Sequence, residues 1–140
     1  MASTAQFGAS PSIDYCQVSV ANTARDGTGA SVLLCSGPAA PAGAGVGKRL
    51  SRVWLSRPAS SVSTVVTFFY SVDGGTTKTL LSEWALASYT ASTTSQQVLQ
   101  YVVDLTGLVL PGSTGGQAVQ IYAATTVATT VNVWAEGASL

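Results

Sequence analysis

The chain has 140 residues, with six cationic and six acidic side chains, no histidine and a formal net charge of zero. Its length fits one domain with a single core, and 46% of its residues are hydrophobic. Zero net charge removes the long-range attraction on which nucleic-acid and polybasic membrane binding depend, and the lack of histidine removes the side chain that titrates near neutral pH. We therefore expect no nucleic-acid partner, no membrane partner and no enzyme.

The first residues differ in composition from the rest of the chain. Residues 1–13 are mostly small or polar, and Phe7 is their only aromatic side chain. They lack the positively charged and apolar segments of a secretory signal. We expect an extended arm over residues 1–13, either disordered or ordered by a neighbouring subunit, and a single domain over residues 14–140.

Alternation of apolar and polar residues predicts eight short strands, separated by clusters of Gly, Pro, Ser and Thr. No window has sustained helical periodicity with capping residues. These features indicate an all-β fold, an antiparallel eight-stranded β-sandwich of jelly-roll or related Greek-key topology, with a closed barrel as the main alternative. The predicted strands are 13–21, 30–36, 48–56, 62–72, 77–87, 97–105, 119–123 and 131–135.

A tight hairpin is predicted in the middle of the chain. Asp73-Gly74-Gly75-Thr76 supplies residues that adopt the positive φ angles of hairpin turns. Segment 77–87 should therefore return antiparallel beside segment 62–72, which should lie at the core.

A second hairpin is predicted between segments 13–21 and 30–36, because residues 22–29 are dense in turn formers. A hairpin folded about the midpoint of this turn places Cys16 opposite Cys35. Opposed cysteines can form a disulfide, whereas a cytosolic origin leaves two buried thiols, which is our expectation. Two cysteines are too few for a zinc site, and we expect no metal and no cofactor.

The sequence offers little for catalysis. Its six carboxylates are separated from one another by ten residues or more along the chain. A serine nucleophile has no histidine to activate it, and no G-x-S-x-G motif occurs. A Ser–Lys pair would have to use Lys48 or Lys78, which the pattern places in exposed strand or turn positions. No catalytic residue is predicted.

Four of the six cations, Lys48, Arg49, Arg52 and Arg57, fall within ten residues. One interpretation is a solvated strand edge that its charges protect from aggregation. The other is a docking patch for an acidic surface of a partner.

Aromatic side chains suggest a second candidate surface. A platform for stacking sugars could be built from Trp54, Trp84, Trp134, Tyr89 and Tyr122. We favour the interpretation that these side chains fill the core or a subunit interface, because aromatics bury a large area. Trp134 alternates out of phase with Val131, Val133 and Ala135, so we expect it to leave the core face and form a contact surface.

The segment Ala21-Asn22-Thr23-Ala24-Arg25-Asp26-Gly27-Thr28-Gly29 resembles a group of small virion proteins of tailed bacteriophages, in which an A-N-T-x-R-D-G-[TS]-G turn follows the first strand. The resemblance continues through residues 49–53, 107–111 and 131–137, and the residues after Gly137 depart from it. It implies a β-sandwich component of the virion, a capsid decoration or cement protein on the exterior of the head. Such a protein is made in the cytoplasm of the host bacterium and binds the major capsid protein.

The resemblance also sets the expected assembly and interface. Decoration sites on icosahedral shells are commonly three-fold, so a homotrimer is the first expectation. The predicted interface residues are Phe7, Lys48, Arg49, Arg52, Arg57 and Trp134. The alternative function is a carbohydrate-binding β-sandwich module of a phage fibre or tail, which predicts an exposed aromatic cluster.

Overall fold

The computed structural model describes residues 10–41, 43, 46–94, 100–113 and 115–140. Within these ranges the chain is all-β, with nine strands and no helix, which confirms the predicted fold class. The strands are β1 (Ser10–Val18), β2 (Val32–Ser36), β3 (Gly47–Ser56), β4 (Thr64–Ser71), β5 (Thr79–Leu86), β6 (Gln100–Val103), β7 (Val109–Pro111), β8 (Gln120–Thr125) and β9 (Val131–Ser139).

The strands form two sheets, and every ladder between them is antiparallel. In the first sheet β9 lies between β1 and β3, and both β6 and β7 pair with β3. The second sheet has the order β2-β8-β4-β5. The chain changes sheet at every connection except the β4–β5 hairpin and the link between β6 and β7. This winding of two packed sheets is the jelly-roll topology.

The ninth strand arises because one predicted strand continues after an interruption. β6 pairs with the end of β3 and β7 pairs with its beginning. Between them Gly107 adopts φ 82°, and its N–H donates to the carbonyl of Leu50 at 2.8 Å. β6 and β7 together therefore occupy the position of one jelly-roll strand beside β3. Part of the predicted strand 97–105 lies outside the described residues.

The β4–β5 hairpin forms as predicted, around a turn that has Gly74 and Gly75 at φ 68° and 91°. The Asp73 carboxylate organises this turn by accepting hydrogen bonds from the backbone N–H of Thr77 and the hydroxyl of Ser71, each at 2.8 Å. The turn sequence therefore leads to the pairing of the two strands that it connects.

The predicted hairpin between β1 and β2 is wrong. β1 pairs with β9 and β2 pairs with β8, so the two strands belong to different sheets. The connection crosses instead to the end of β8, where the Asn22 N–H donates to the Thr125 carbonyl at 2.7 Å. The turn formers of this segment serve a crossover between sheets, and Cys16 does not face Cys35 on a neighbouring strand.

The hydrophobic core lies between the sheets as one cluster to which both contribute. Phe68 of β4 and Leu110 of β7 are among its fully buried side chains. Cys16 and Cys35 belong to the same cluster and are free thiols. Burial raises the pKa of each thiol to about 12.

Residues 21–31, which we call the cover loop, lie against the second sheet. The Asn22 side chain holds the loop together: its amide donates to the carbonyls of Thr28 and Ala30, and its oxygen accepts from the N–H of Ala24. Arg25 pairs with Glu83 of β5 at 2.7 Å. The outward side of β4 is also buried, with Phe69 only 1% exposed.

Candidate functional site

A row of four large side chains crosses the outer surface of the first sheet, one from each of four neighbouring strands. Tyr15 of β1 lies opposite Trp134 of β9, Trp134 lies opposite Trp54 of β3, and Trp54 lies opposite Val102 of β6. All four alternate with core residues along their strands, so they point away from the core. We call them the aromatic row.

The aromatic side chains of this row form a continuous series of ring contacts, in which Trp54 and Trp134 are stacked and Tyr15 is tilted by 41° relative to Trp134. The rings of Trp54 and Trp134 are nearly parallel, with centroids 5.2 Å apart and planes 9° apart. Tyr15 contacts Trp134 from the other side, at a centroid distance of 4.4 Å. The guanidinium of Arg52 lies over the Trp54 ring, 5.7 Å from its centroid. Trp134 is therefore enclosed between two rings, and Trp54 lies between a ring and a cation.

Polar residues flank the aromatic row on both sides. On one side Arg52 and Glu136 lie opposite each other and form an ion pair at 2.8 Å. The hydrogen bond from Arg52 holds the pKa of Glu136 below its usual value. On the other side the Asn132 side-chain oxygen accepts hydrogen bonds from the Tyr15 hydroxyl and the Gln17 amide, both at 3.0 Å. These contacts fix the aromatic row in place.

Large apolar side chains protrude from the same surface. Ile13 is 66% exposed, Val102 is 55% exposed and Tyr15 is 47% exposed. We call the surface formed by Ile13, the aromatic row and the Arg52–Glu136 pair the aromatic face. Exposed apolar groups gathered on one side of a sheet mark a contact site, in contrast to scattered single residues.

The predicted cation patch is not formed, because two of its four members are buried. Lys48 is 7% exposed and its ammonium forms an ion pair with Asp14. Arg57 is 3% exposed, and its guanidinium donates to the backbone carbonyls of Ala87 and Val62. Both cations hold the fold together and are not available to a partner.

The other predicted interface residues lie in different environments. β3 has β9 on one side and β6 and β7 on the other, so the interpretation of its cations as protection for a sheet edge is wrong. Arg49 and Arg52 are exposed on the outer surface of β3. Trp134 leaves the core face, as the alternation predicted. Phe7 lies outside the described residues.

The predicted five-membered sugar platform does not exist as a unit. Trp84 packs against the core, and Tyr89 is 9% exposed. Tyr122 lies on the second sheet, with the ammonium of Lys78 5.0 Å from its ring centroid. Only Trp54 and Trp134 of the five share a surface. Tyr15, absent from that prediction, completes the stack because β1 pairs with β9.

Five of the described carboxylates are each engaged with separate partners. Asp14, Glu83 and Glu136 each form an ion pair with a different cation. Hydrogen bonds from Thr28 to Asp26, and from Thr77 and Ser71 to Asp73, hold the pKa values of these turn carboxyls below their usual range. The lowered pKa values keep Asp26 and Asp73 ionised at neutral pH, so these two groups are poorly suited to act as general acids. No group of three or more His, Cys, Asp or Glu side chains gathers in the described part of the chain.

The described residues form no helix long and apolar enough to cross a membrane. Comparison of the chain with protein-family models, with curated proteins and with solved structures found no match.

Proposed function

We propose that this chain is a non-enzymatic structural protein of a virion, a capsid decoration protein that stabilises the head of a tailed phage through protein–protein contacts. The observation that supports the proposal best is the aromatic face, an exposed apolar surface on a rigid sheet with its charges already paired. The sequence segments that resemble phage virion proteins, in the same order along the chain, are the reason for proposing a phage particle.

The ring contacts favour a protein over a sugar as the occupant of this face. Sugar-binding platforms present a free aromatic face to the ring of the sugar. Here Trp134 is already sandwiched between Tyr15 and Trp54, and Trp54 is covered by Arg52 and Trp134. The most exposed side chains around these rings are the aliphatic Ile13 and Val102. Apolar groups beside an arginine are typical of the centre of a protein interface.

The proposal also gives the two exposed arginines of β3 a role in binding the capsid. We expect Arg49 and Arg52 to meet acidic groups of the major capsid protein. Replacing both with serine should lower occupancy on the head and make the remaining binding less sensitive to salt, because fewer charges attract the partner. Because β1 begins at Ser10, deleting residues 1–9 tests the arm, and should lower occupancy while the domain remains folded.

The direct test is to locate the protein on a particle. Purified protein is added to phage heads that lack it, and cryo-electron microscopy measures the occupancy and the position of the added density. Bound protein should also raise the temperature at which the heads release DNA. A protein that is absent from purified virions, and that does not bind heads lacking it, would overturn the proposal.

Carbohydrate binding by a fibre or tail module is the second candidate, and one observation favours it. A groove of about 410 Å³ lies beside Ile13, with hydroxyl and carboxylate groups in its walls. This volume is within the range of small-ligand sites. The lining residues are Pro11, Ser12, Ile13, Ser51, Glu136 and Gly137. A glycan array probed with the wild-type protein and with Ser51→Ala distinguishes the two functions, since decoration predicts no glycan signal for either.

A further inference from the structure

We infer that the aromatic face binds a second copy of this chain, packed face to face about a two-fold axis. The inference deepens the proposed function and rests on it for the setting, because a decoration protein acts as an assembly. It concerns which partner covers the face in the free protein, and it replaces the trimer expected from capsid symmetry with a pair.

The charges of the face suit self-association. In a two-fold interface each copy presents the same surface, so an unpaired charge near the axis would meet itself. In the aromatic row and the rows on either side of it, Arg52 and Glu136 neutralise each other, and one further exposed charge, Asp104, directly follows Val103 at the margin of the sheet beside Arg52. The exposed Arg49 lies away from this centre, nearer the start of β3. The face can therefore be buried against itself without opposing like charges.

The order of the side chains across the sheet also defines which side chains of two copies lie opposite each other. A two-fold axis that runs along the strands, between β9 and β3, exchanges these two strands between the copies. The ion-pair row then places Arg52 of one copy against Glu136 of the second copy. The aromatic row places Tyr15 against Val102 and Trp134 against Trp54. Arg52 meets an anion and the side chains of the aromatic row meet one another, while Ile13 meets the margin of the second copy near its Asp104.

The size of the face is sufficient for a stable pair. β1 and β9 have nine residues each, a length of about 30 Å at roughly 3.3 Å per residue, and the four strands span about 15 Å between the outermost axes. With the side chains at its margins this is on the order of the 800 Å² that each partner buries in a standard interface. Two sheets packed in this way lie about 10 Å apart, as in a β-sandwich core.

The first experiment measures association of the purified full chain without any capsid. Sedimentation equilibrium over a concentration series should show reversible dimers. Dilution should shift the tryptophan emission to longer wavelength, because two of the three tryptophans lie on the face. Val102→Asp should raise the dissociation constant at least about 10-fold, because it places a charge among the apolar side chains that the interface buries. Val72→Asp is the matched control, since Val72 is 48% exposed but follows β4 in the second sheet.

A charge exchange tests the geometry without relying on an apolar substitution. Arg52→Glu gives a face with two acids, and Glu136→Arg gives a face with two cations. Each variant alone should be monomeric at concentrations where the wild type is dimeric, and an equal mixture of the two should dimerise again. Far-ultraviolet circular dichroism checks that each variant is folded. If Val102→Asp does not fold, Ile13→Ser replaces it, because Ile13 is more exposed.

The outcomes separate this inference from the proposed function. A wild-type chain that stays monomeric, or that sediments as a trimer, overturns the two-fold pair, as does equal weakening by Val102→Asp and Val72→Asp. If the protein is monomeric and Val102→Asp abolishes binding to heads, the capsid covers the face and the decoration role stands. If the pair forms but no head binds the protein, the pairing stands and the decoration role fails.

Discussion

Trp54 and Trp134 lie directly opposite each other on neighbouring strands, and their rings stack with centroids 5.2 Å apart on the outer side of the first sheet. The pair joins β3 to β9, two strands that are separated by about half the chain in sequence. Because the stack is outside the core, it stabilises the fold from the solvent side. It thus has a structural effect that can be measured apart from any binding role.

The first prediction concerns this stack. Trp54→Ala and Trp134→Ala should each destabilise the chain, and a double-mutant cycle should give a coupling energy of about 1 kcal/mol, typical of a stacked aromatic pair. Urea unfolding of the four proteins at high dilution measures the cycle. Additive effects would show that the two rings do not stabilise each other. The pair Trp84 and Trp134, on different sheets, serves as the control and should be additive.

The second prediction contrasts two ion pairs of the same chemistry and different burial. Asp14→Asn leaves the buried ammonium of Lys48 without its anion and should lower the free energy of unfolding by about 3 kcal/mol. Glu136→Gln breaks a pair whose Arg52 side chain is 50% exposed, and should cost less than about 1 kcal/mol. Urea unfolding at pH 7 gives both values.

A further variant tests the origin of the larger effect. Asp14→Leu combined with Lys48→Met removes both charges and fills the space with apolar groups. We expect this double variant to be more stable than Asp14→Asn, because no charge remains buried alone. Equal destabilisation of the two proteins would contradict this explanation.

The sequence predicted the features that depend on neighbours along the chain. The Asp73-Gly74-Gly75-Thr76 turn predicted the β4–β5 hairpin, and alternation in the last strand predicted that Trp134 points outward. The misses involve residues far apart in sequence. Tyr15 joins the stack only because β1 pairs with β9.

Local sequence patterns also could not predict the burial of the cations. Lys48 is stabilised inside the sandwich by Asp14 of another strand, and Arg57 by two backbone carbonyls contributed by loops. Charge density along one strand predicted an exposed patch, since isolated cations avoid the interior. The structure differs from this prediction because the fold supplies a partner for each of the two buried charges. Those partners belong to other segments, so the sequence of residues 48–57 does not reveal them.

The third prediction concerns the cover loop. Asn22→Ala removes three hydrogen bonds and leaves the carbonyls of Thr28 and Ala30 without their donor. We expect a loss of about 2 kcal/mol in the free energy of unfolding and faster hydrogen exchange in residues 21–31. Thr23→Ala, at an exposed neighbouring position, should change stability by less than about 0.5 kcal/mol. Similar effects of the two substitutions would contradict the anchoring role of Asn22.

The fourth prediction concerns the thiols. Since burial raises the pKa of Cys16 and Cys35 to about 12, the folded protein should resist iodoacetamide at pH 8, and two adducts should appear by mass spectrometry only after denaturation. The raised pKa also has a consequence for stability. The unfolded thiols ionise from about pH 9 upward and the folded ones do not, so their stabilising contribution is present below that pH and is lost as pH rises towards about 12.

The fifth prediction concerns acid. Hydrogen bonds from Thr77 and Ser71 hold the pKa of Asp73 below the usual value of an aspartate. The ionised carboxylate therefore stabilises the fold above about pH 4, and this contribution is lost as pH falls through the lowered pKa. Asp73→Asn should be less stable than wild type at pH 7, and the difference should shrink towards about pH 2. Urea midpoints across this range measure it, and a constant difference would show that the charge is not responsible.

The position of β9 has a consequence for how the chain is made. Ser10 pairs with Ser139, and in the described residues β1 has β9 as its hydrogen-bonded neighbour and no other. During synthesis β1 therefore cannot pair with its neighbour until β9 has left the ribosome. Until then the second sheet and the pairing of β3 with β6 and β7 can form, but β1 lacks its hydrogen-bonded neighbour and its apolar side remains exposed. We infer that the first sheet is completed only once β9 has been synthesised, and long-range β pairing of this kind folds slowly and leaves apolar surface exposed in the meantime.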